Sequence, residues 1–249
     1  MATVNTTCAY CGVGCGISAT VTGERTLTIA GDKSHPANRG SLCSKGTHLS
    51  ETVGLGGRLL VPEIGGQPAS WSDAISEVAG RMQQCIEQHG PDSVAFYVSG
   101  QLLTEDYYVA NKLMKGFVGS ANIDTNSRLC MASAVAAHNR AFGEDIVPCT
   151  YDDLDAADLI LLVGSNTAWC HPVIWQRIER AREESGTKLV VIDPRRTETA
   201  ERADLHIPVA PDGDVALFDA LLADMFSRGS IDTGSVSYTH LTLPTIYSV

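Results

Sequence analysis

The chain has 249 residues, enough for one large domain or two modest ones with their own cores. Its formal net charge of −11 argues against a nucleic-acid surface and an anionic membrane face, and no apolar run of about eighteen residues marks a membrane span. The start, "MATVNTTCAYC", shows neither a secretory leader nor a twin-arginine pair, so the expected compartment is the cytoplasm, where eight cysteines suggest ligands before bridges.

Residues 6 to 16, "TTCAYCGVGCG", place Cys8, Cys11 and Cys15 on one short loop, and Cys43 follows after a long gap. Three readings compete. A disulfide framework suits neither the compartment nor the crowding. A structural zinc site usually takes its ligands as two separated pairs. Three clustered thiolates with one remote partner are how a cubane iron–sulfur cluster is commonly held, so the pattern favours [4Fe–4S]. Gly12, Gly14 and Gly16 would let the loop wrap an inorganic core and aim N–H groups at its sulfurs.

Between the third and fourth cysteines, alternating apolar and polar residues around "TGER" predict a hairpin of residues 17–21 and 27–30, which would return Cys43 to the loop. Lys45 lies two residues past Cys43 and, on spacing alone, reads equally well as a solvated lysine. A turn-rich connector leads to a helix capped by Ser70 or Ser72, with Ile75, Val78, Ala79, Met82, Cys85 and Ile86 on one face, so Cys85 is expected in the core. "SVAFYVSG" predicts a short buried strand, and "TEDYYVANKLMKGFVG" a helix with Thr104 at its N-cap.

"ADLILLVGSN" is the clearest strand, and its continuous apolar run predicts burial on both faces, as in a parallel sheet. A helix over 172–185, the strand "KLVVID", a short strand in "LHIPVAPDGD" and the helix "VALFDALLADMFSR" follow. This alternation predicts a doubly wound α/β sheet behind a small N-terminal hairpin domain, with ligands beyond the carboxyl ends of the strands. Three polar loops stand there: "GSNTAW", "DPRRTET" and "APDGD". No G-x-G-x-x-G occurs, so nicotinamide binding is disfavoured. Asp193 could meet a ribose or a guanine edge, and Arg195 or Arg196 a phosphate. The plainer alternative is a solvated loop with Thr197 capping a helix.

These motifs together ("CAYCGVGCG", "LCSKG", "NSRLCMASAV", "DLILLVGSNTAWCHP", "VVIDPRRTETA" and "PDGDVAL") resemble the molybdopterin oxidoreductases of the molybdenum bis-guanine-dinucleotide class, over roughly residues 5 to 227. Within the class, "LCMASAVAAHNRAFG" and "GSNTAWCHPV" look like the cytoplasmic assimilatory nitrate reductases. The resemblance implies a [4Fe–4S] cluster on Cys8, Cys11, Cys15 and Cys43 and a molybdenum bis(molybdopterin guanine dinucleotide). It gives Cys130 as the thiolate on molybdenum, although the residues alone read as a core cysteine at a helix start, a position that favours thiolate. It puts Lys45 between cluster and pterin as an electronic coupler, and gives Gln101 and Asn126 as molybdopterin contacts. Gly164, Ser165 and Asn166 match a dinucleotide loop, Asp193, Pro194, Arg195 and Thr197 the guanosine loop, and Asp212 with Asp214 a further guanine-side contact. Cys149, Cys170, His138 and His171 receive no ligand role.

The implied reaction is reduction of nitrate to nitrite, with electrons from a flavoprotein, ferredoxin or flavodoxin passing through the cluster. A formate dehydrogenase is the alternative within the class, although "CMAS" favours nitrate. A stand-alone iron–sulfur electron carrier is the alternative outside it. The expected domains are 1–58 for the cluster, 59–229 for an incomplete α/β molybdopterin-binding domain, and 230–249, "SIDTGSVSYTHLTLPTIYSV", as a non-native tail, because composition changes abruptly there. Members of the class are several times longer, so this chain alone is expected to be inactive.

Overall fold

A computed structural model of the chain describes residues 2–234, apart from the Arg128 side chain; most of the tail expected at 230–249 lies outside the described residues. Two compact units emerge, one built from Met1–Gly56 with Val147–Thr233, the other containing Gly57–Ile146. Each is described separately.

In the first unit, β1 (Thr3–Thr7), β2 (Gly16–Gly23) and β3 (Thr26–Gly31) form an antiparallel sheet with β2 in the centre. The predicted hairpin is present and slightly longer, with a register shift between Val21 and Gly23. The β-branched run "TVNTT" forms a third strand that the alternation around "TGER" did not reveal, pairing Thr7 with Gly16. The cysteine loop is therefore the β1–β2 connection, closed at its base by the Cys8 N–H donating to the Cys15 carbonyl at 2.8 Å. After β3 the chain turns through residues 32–43 into the short helix α1 (Ser44–Thr47), whose N-cap is Cys43.

The same unit holds a parallel sheet of β8 (Leu159–Val163), β9 (Lys188–Ile192) and β10 (Leu205–Ile207), with β9 in the centre. α5 (Tyr151–Ala156), α6 (Thr167–Cys170), α7 (Pro172–Ser185), α8 (Glu198–Glu201) and α9 (Asp214–Ser227) complete it. α7 starts and stops at the predicted residues because Pro172 suits the first helical turn and Gly186, at φ +74°, ends it. Ile160, Leu189 and Val191 of the sheet pack with Trp175 and Ile178 of α7 and Ala200 of α8. The continuous run in β8 is not buried on both faces: Ile160 is buried, whereas Leu159, Leu161 and Val163 are 42–52% exposed. Hydropathy identified the strand, but the helices of its own unit pack on the Ile160 face.

Arg177 of α7, only 6% exposed, ties the turn after β3 to α5. Its guanidinium donates to both carboxylate oxygens of Asp155 at 2.7 Å, to Asp152, and to the Pro36 carbonyl at 2.9 Å. The hydrogen bonds from Arg177 hold the Asp155 carboxyl below its ordinary range.

In the second unit, β4 (Glu63–Ile64) and β5 (Gln67–Pro68) form a tight hairpin through Gly65 and Gly66, both at positive φ. α2 (Trp71–His89) is capped by Ser70, whose hydroxyl accepts from the Asp73 N–H. Its apolar stripe forms as predicted, yet Ile75 and Val78 are about 60% exposed and Cys85 is exposed rather than in the core. Periodicity gives the face of a helix but not what covers it. β6 (Phe96–Val98) pairs in parallel with β7 (Ile123–Thr125). α3 (Thr104–Asn111) begins at Thr104, with Leu103 as N-cap and Asp106 accepting its N–H, and runs on as a π-helical segment to Val118. α4 (Asn126–Phe142) starts directly after β7.

Because the Asp155 pKa is lowered, its contribution to stability is present above the unfolded carboxyl value near ~4 and is lost as pH falls through the lower folded value. Asp155→Asn is expected to destabilise the chain by about 2 kcal/mol at pH 7, less than for a wholly buried pair because Asp155 is one-third exposed. Urea denaturation followed by the fluorescence of buried Trp175 should show that deficit shrinking towards pH 3; a pH-independent difference would refute the assignment.

Candidate cofactor sites

The four cysteines named from spacing come together. Cys8, Cys11, Cys15 and Cys43 line one small cavity with Tyr10, Val13, Leu42, Pro172 and Val173. Val13, Cys15 and Val173 form its buried floor. Burial pushes the Cys15 thiol up to about 11, and the neighbouring Cys8, Cys11 and Cys43 add to the shift. Tyr151 donates its hydroxyl to the Val13 carbonyl at 2.7 Å and pins the loop to α5. Burial also raises the Tyr151 pKa, which keeps the donating proton in place.

Asn38, which spacing had not singled out, brings Cys43 to the loop. It is 4% exposed; its amide oxygen accepts from the Gly16 N–H at 2.8 Å, and its amide nitrogen donates to the carbonyls of Gly16 and Ser41. The Gly14 N–H likewise donates within the loop, to the Cys11 carbonyl at 3.3 Å. Gly14 is needed for its φ of +66°, and Gly16 because a Cβ there would meet the His35 ring at 2.3 Å. Gly12 has neither constraint.

Four cysteines line the cavity, the number of thiolates a [4Fe–4S] cluster takes. A cubane spreads its ligands around a core of several atoms, whereas tetrahedral zinc draws them within about 2.3 Å of one centre. None of the eight cysteines is in a disulfide. Lys45 lies on α1 beside the cavity, with its ammonium 5.9 Å from the centre of the Tyr10 ring.

The parallel register of β8, β9 and β10 puts their carboxyl ends side by side, with Val163 opposite Ile192 and Ile192 opposite Ile207. The first two loops interlock. Thr199, wholly buried, donates its hydroxyl to the Asn166 side-chain oxygen at 2.8 Å and accepts from the Ala168 N–H at 3.0 Å. The Ser165 and Thr167 hydroxyls are 2.8 Å apart, and Gly164 turns the chain at φ +58°. Asp193 is 7% exposed and accepts the Arg195 N–H at 2.8 Å, while His206 faces its carbonyl at 2.9 Å. Pro194 lies between them, and Thr197 caps α8 by accepting from the Ala200 N–H. The capping reading of Thr197 is thus met, within the loop that carries Asp193 and Arg195.

Asp212 follows β10 and sits at φ +65°, a left-handed conformation that Asp tolerates better than most residues; Asp214 opens α9. Among the described residues no hydrogen bond ties Asp212 or Asp214 to the other two loops. Thr199 and His206 were missed as supports because their work is tertiary: their partners lie 33 and 13 residues away.

In the second unit the carboxyl ends of β6 and β7 make a separate cradle. The Gly100 N–H donates to the Asn126 side-chain oxygen at 2.6 Å, which places Gln101 beside the start of α4. Tyr107 braces this turn by donating to the Ser99 carbonyl. Cys130 is exposed, one helical turn beyond Asn126 and so on the same side of α4, and Met131 after it breaks helical geometry at φ −140°, ψ 22°. The structure thus brings Gln101 and Asn126 together with Cys130 nearby on one helix.

With this geometry in view, comparison with known proteins is direct. Residues 1–54 match the molybdopterin oxidoreductase Fe4S4 domain, and residues 61–238 match the molybdopterin oxidoreductase family. The chain belongs to that family, whose two domains imply a [4Fe–4S] cluster and a molybdenum bis(molybdopterin guanine dinucleotide). It is 54% identical over 232 residues to a nitrate reductase of Klebsiella oxytoca, covering 93% of this chain and 27% of that protein. It is 42% identical over 221 residues to a periplasmic nitrate reductase of Desulfovibrio desulfuricans, covering 86% of this chain and 29% of the relative. Acetylene hydratase from Pelobacter acetylenicus superposes with a TM-score of 0.62 at 24% identity, over 83% of this chain and 29% of that one, a likeness of fold. The chain therefore spans between a quarter and a third of the length of these relatives.

Thr199→Val keeps shape but leaves the Asn166 oxygen and the Ala168 N–H without partners, so a loss of about 1–3 kcal/mol is expected. Hydrogen exchange at the Ala168 amide should accelerate in the variant; unchanged protection there would rule out the interlock.

Proposed function

We propose that this chain is the front portion of a molybdenum nitrate reductase that reduces nitrate to nitrite. The observation that carries the reading is the convergence of four cysteine side chains on one cavity, in a chain similar to nitrate reductases over nearly its whole length. Cys8, Cys11, Cys15 and Cys43 hold the cluster, with residues 1–58 as its domain. Residues 59–229 then supply the pterin side. Cys130 is the thiolate for molybdenum, with Gln101 and Asn126 oriented towards the pterin by the Gly100–Asn126 hydrogen bond. Gly164, Ser165, Asn166, Asp193, Pro194, Arg195 and Thr197 receive the guanine dinucleotide, with Asp212 and Asp214 at its guanine side.

When bound, the molybdenum cofactor supplies the two-electron, oxygen-accepting chemistry; nitrate, two electrons and two protons give nitrite and water. The chain's own residues bind and orient. Asp193, held by the Arg195 N–H and largely excluded from water, offers a fixed carboxylate to a guanine edge. The interlocked Asn166 and Thr199 keep the first two loops at one spacing, which an extended dinucleotide needs on both sides. Lys45 supplies positive charge beside the cysteine cavity. We assign the electrons to a flavoprotein, ferredoxin or flavodoxin and the compartment to the cytoplasm, as in assimilatory enzymes. No described helix is long and apolar enough to cross a membrane.

Anaerobic reconstitution of the chain should give about four irons per molecule, the content of a [4Fe–4S] cluster. Replacing Cys43 by Ser should abolish the cluster's visible absorption, and one zinc per chain would overturn the assignment. In the longer enzyme that contains this sequence, Cys130→Ala should lower viologen-driven nitrate reduction by more than about 100-fold, the upper range for losing even an outer partner of a metal ligand. Iron content should not change. Retained turnover would remove Cys130 from the molybdenum site. The 249-residue chain by itself should show no nitrate-dependent oxidation of viologen.

A further inference from the structure

We propose that Tyr10 is a positioning residue that holds the Lys45 ammonium over its ring, in the depression next to the cysteine cavity, and thereby raises the reduction potential of the group bound there. The inference rests on the assignment of the four cysteines as cluster ligands. Tyr10 stands between Cys8 and Cys11, and it lines two depressions at once. One is the cysteine cavity; the other it shares with Ser44, Lys45, His48, Glu51 and Thr52.

The Lys45 ammonium lies 5.9 Å from the centre of the Tyr10 ring, within reach of a cation–π contact. The nearby carboxylate of Glu51 pairs instead with His48, whose Nδ1 is 2.8 Å from the Glu51 oxygen. Among the described residues no carboxylate lies within ion-pair distance of Lys45, so the aromatic face is what fixes a long, otherwise exposed side chain. Tyr10 is itself 41% exposed and contributes little to the core. Its place is explained by what it touches on either side.

The consequence is electrostatic. Reduction adds one electron, and so one negative charge, to a group already surrounded by thiolates, and a cation held nearby favours the reduced form. A lysine free to swing into water would be screened and would do this less.

The experiment has two arms. In the first, which needs no cluster, the 249-residue chain is acetylated with an amine-reactive ester and labelling at Lys45 is timed by mass spectrometry against Lys33. Tyr10→Leu should speed labelling of Lys45 by about two- to fivefold, the factor expected for an exposed cation–π contact, while Tyr10→Phe should leave it unchanged. Equal rates in all three proteins would overturn the proposal. In the second arm the reconstituted cluster is titrated with dithionite and followed by electron paramagnetic resonance. Lys45→Met should lower the midpoint potential, Tyr10→Leu should lower it by at least half as much, Tyr10→Phe should not, and the Leu–Met double variant should match Lys45→Met alone. Additive shifts, or a Phe variant that behaves like Leu, would overturn it. Failure of the parent chain to assemble any cluster would count against the cluster assignment itself, and the labelling arm would still decide whether Tyr10 holds Lys45.

Discussion

The first unit depends on a single guanidinium. Arg177 projects from α7 into a site almost closed to water, where an unpaired cation would cost several kcal/mol, so its neighbours must answer it. Asp155 and Asp152 of α5 supply negative charge, and the Pro36 carbonyl takes a further N–H from 141 residues away. Arg39, close to Pro36 in the same turn, reaches the same two carboxylates. The segment that leads to Cys43 is thus fastened to the parallel sheet's helices by charge, while the loop that carries Cys8, Cys11 and Cys15 is fastened by Tyr151. The cysteine cavity borrows Pro172 and Val173 from α7, one face of which also carries Arg177. Arg177 thus adds a buried, charged tie to the hold that Asn38 and Arg39 already give the fourth cysteine's segment.

The strand ends obey a second constraint, that a loop offered to a ligand must be rigid without using up the atoms the ligand needs. Thr199 meets it by satisfying both Asn166 and the Ala168 amide from inside the fold. His206 does the same for the Asp193 carbonyl and leaves the carboxylate with one accepted N–H. In the second unit the Gly100–Asn126 bond and the Tyr107 hydroxyl stiffen the turn that bears Gln101. In each case the support comes from a residue remote in sequence that braces the backbone or side chain of the loop.

Family membership and geometry agree on the cofactors while answering different questions. The family matches say which groups the two domains take. The cavity shows that this chain's own four cysteines line one common space. The exposed apolar residues of α2, of the Leu159 face of β8, and of α9, where Val215, Leu222 and Phe226 lie open, show how much apolar surface the described residues leave uncovered.

By itself the sequence determined the local elements and the chemistry of the motifs, because both are written at short range. Cys8, Cys11, Cys15 and Cys43 suggested a cluster by spacing, α7 was expected at about residues 172–185, and the parallel strands showed as apolar runs ending in polar loops. Only the tertiary structure decided which apolar faces are covered, since a stripe such as Ile75–Val78–Met82 or a run such as Leu159–Val163 has the same periodicity whether or not something packs on it. It also decided which polar residues serve as struts. Asn38, Arg177 and Thr199 look like ordinary surface residues in sequence, and they become structural because their partners arrive from 22 to 141 positions away. The contact of Tyr10 with Lys45 has the same origin: 35 residues separate them, and the antiparallel sheet with the Asn38 turn is what brings them face to face.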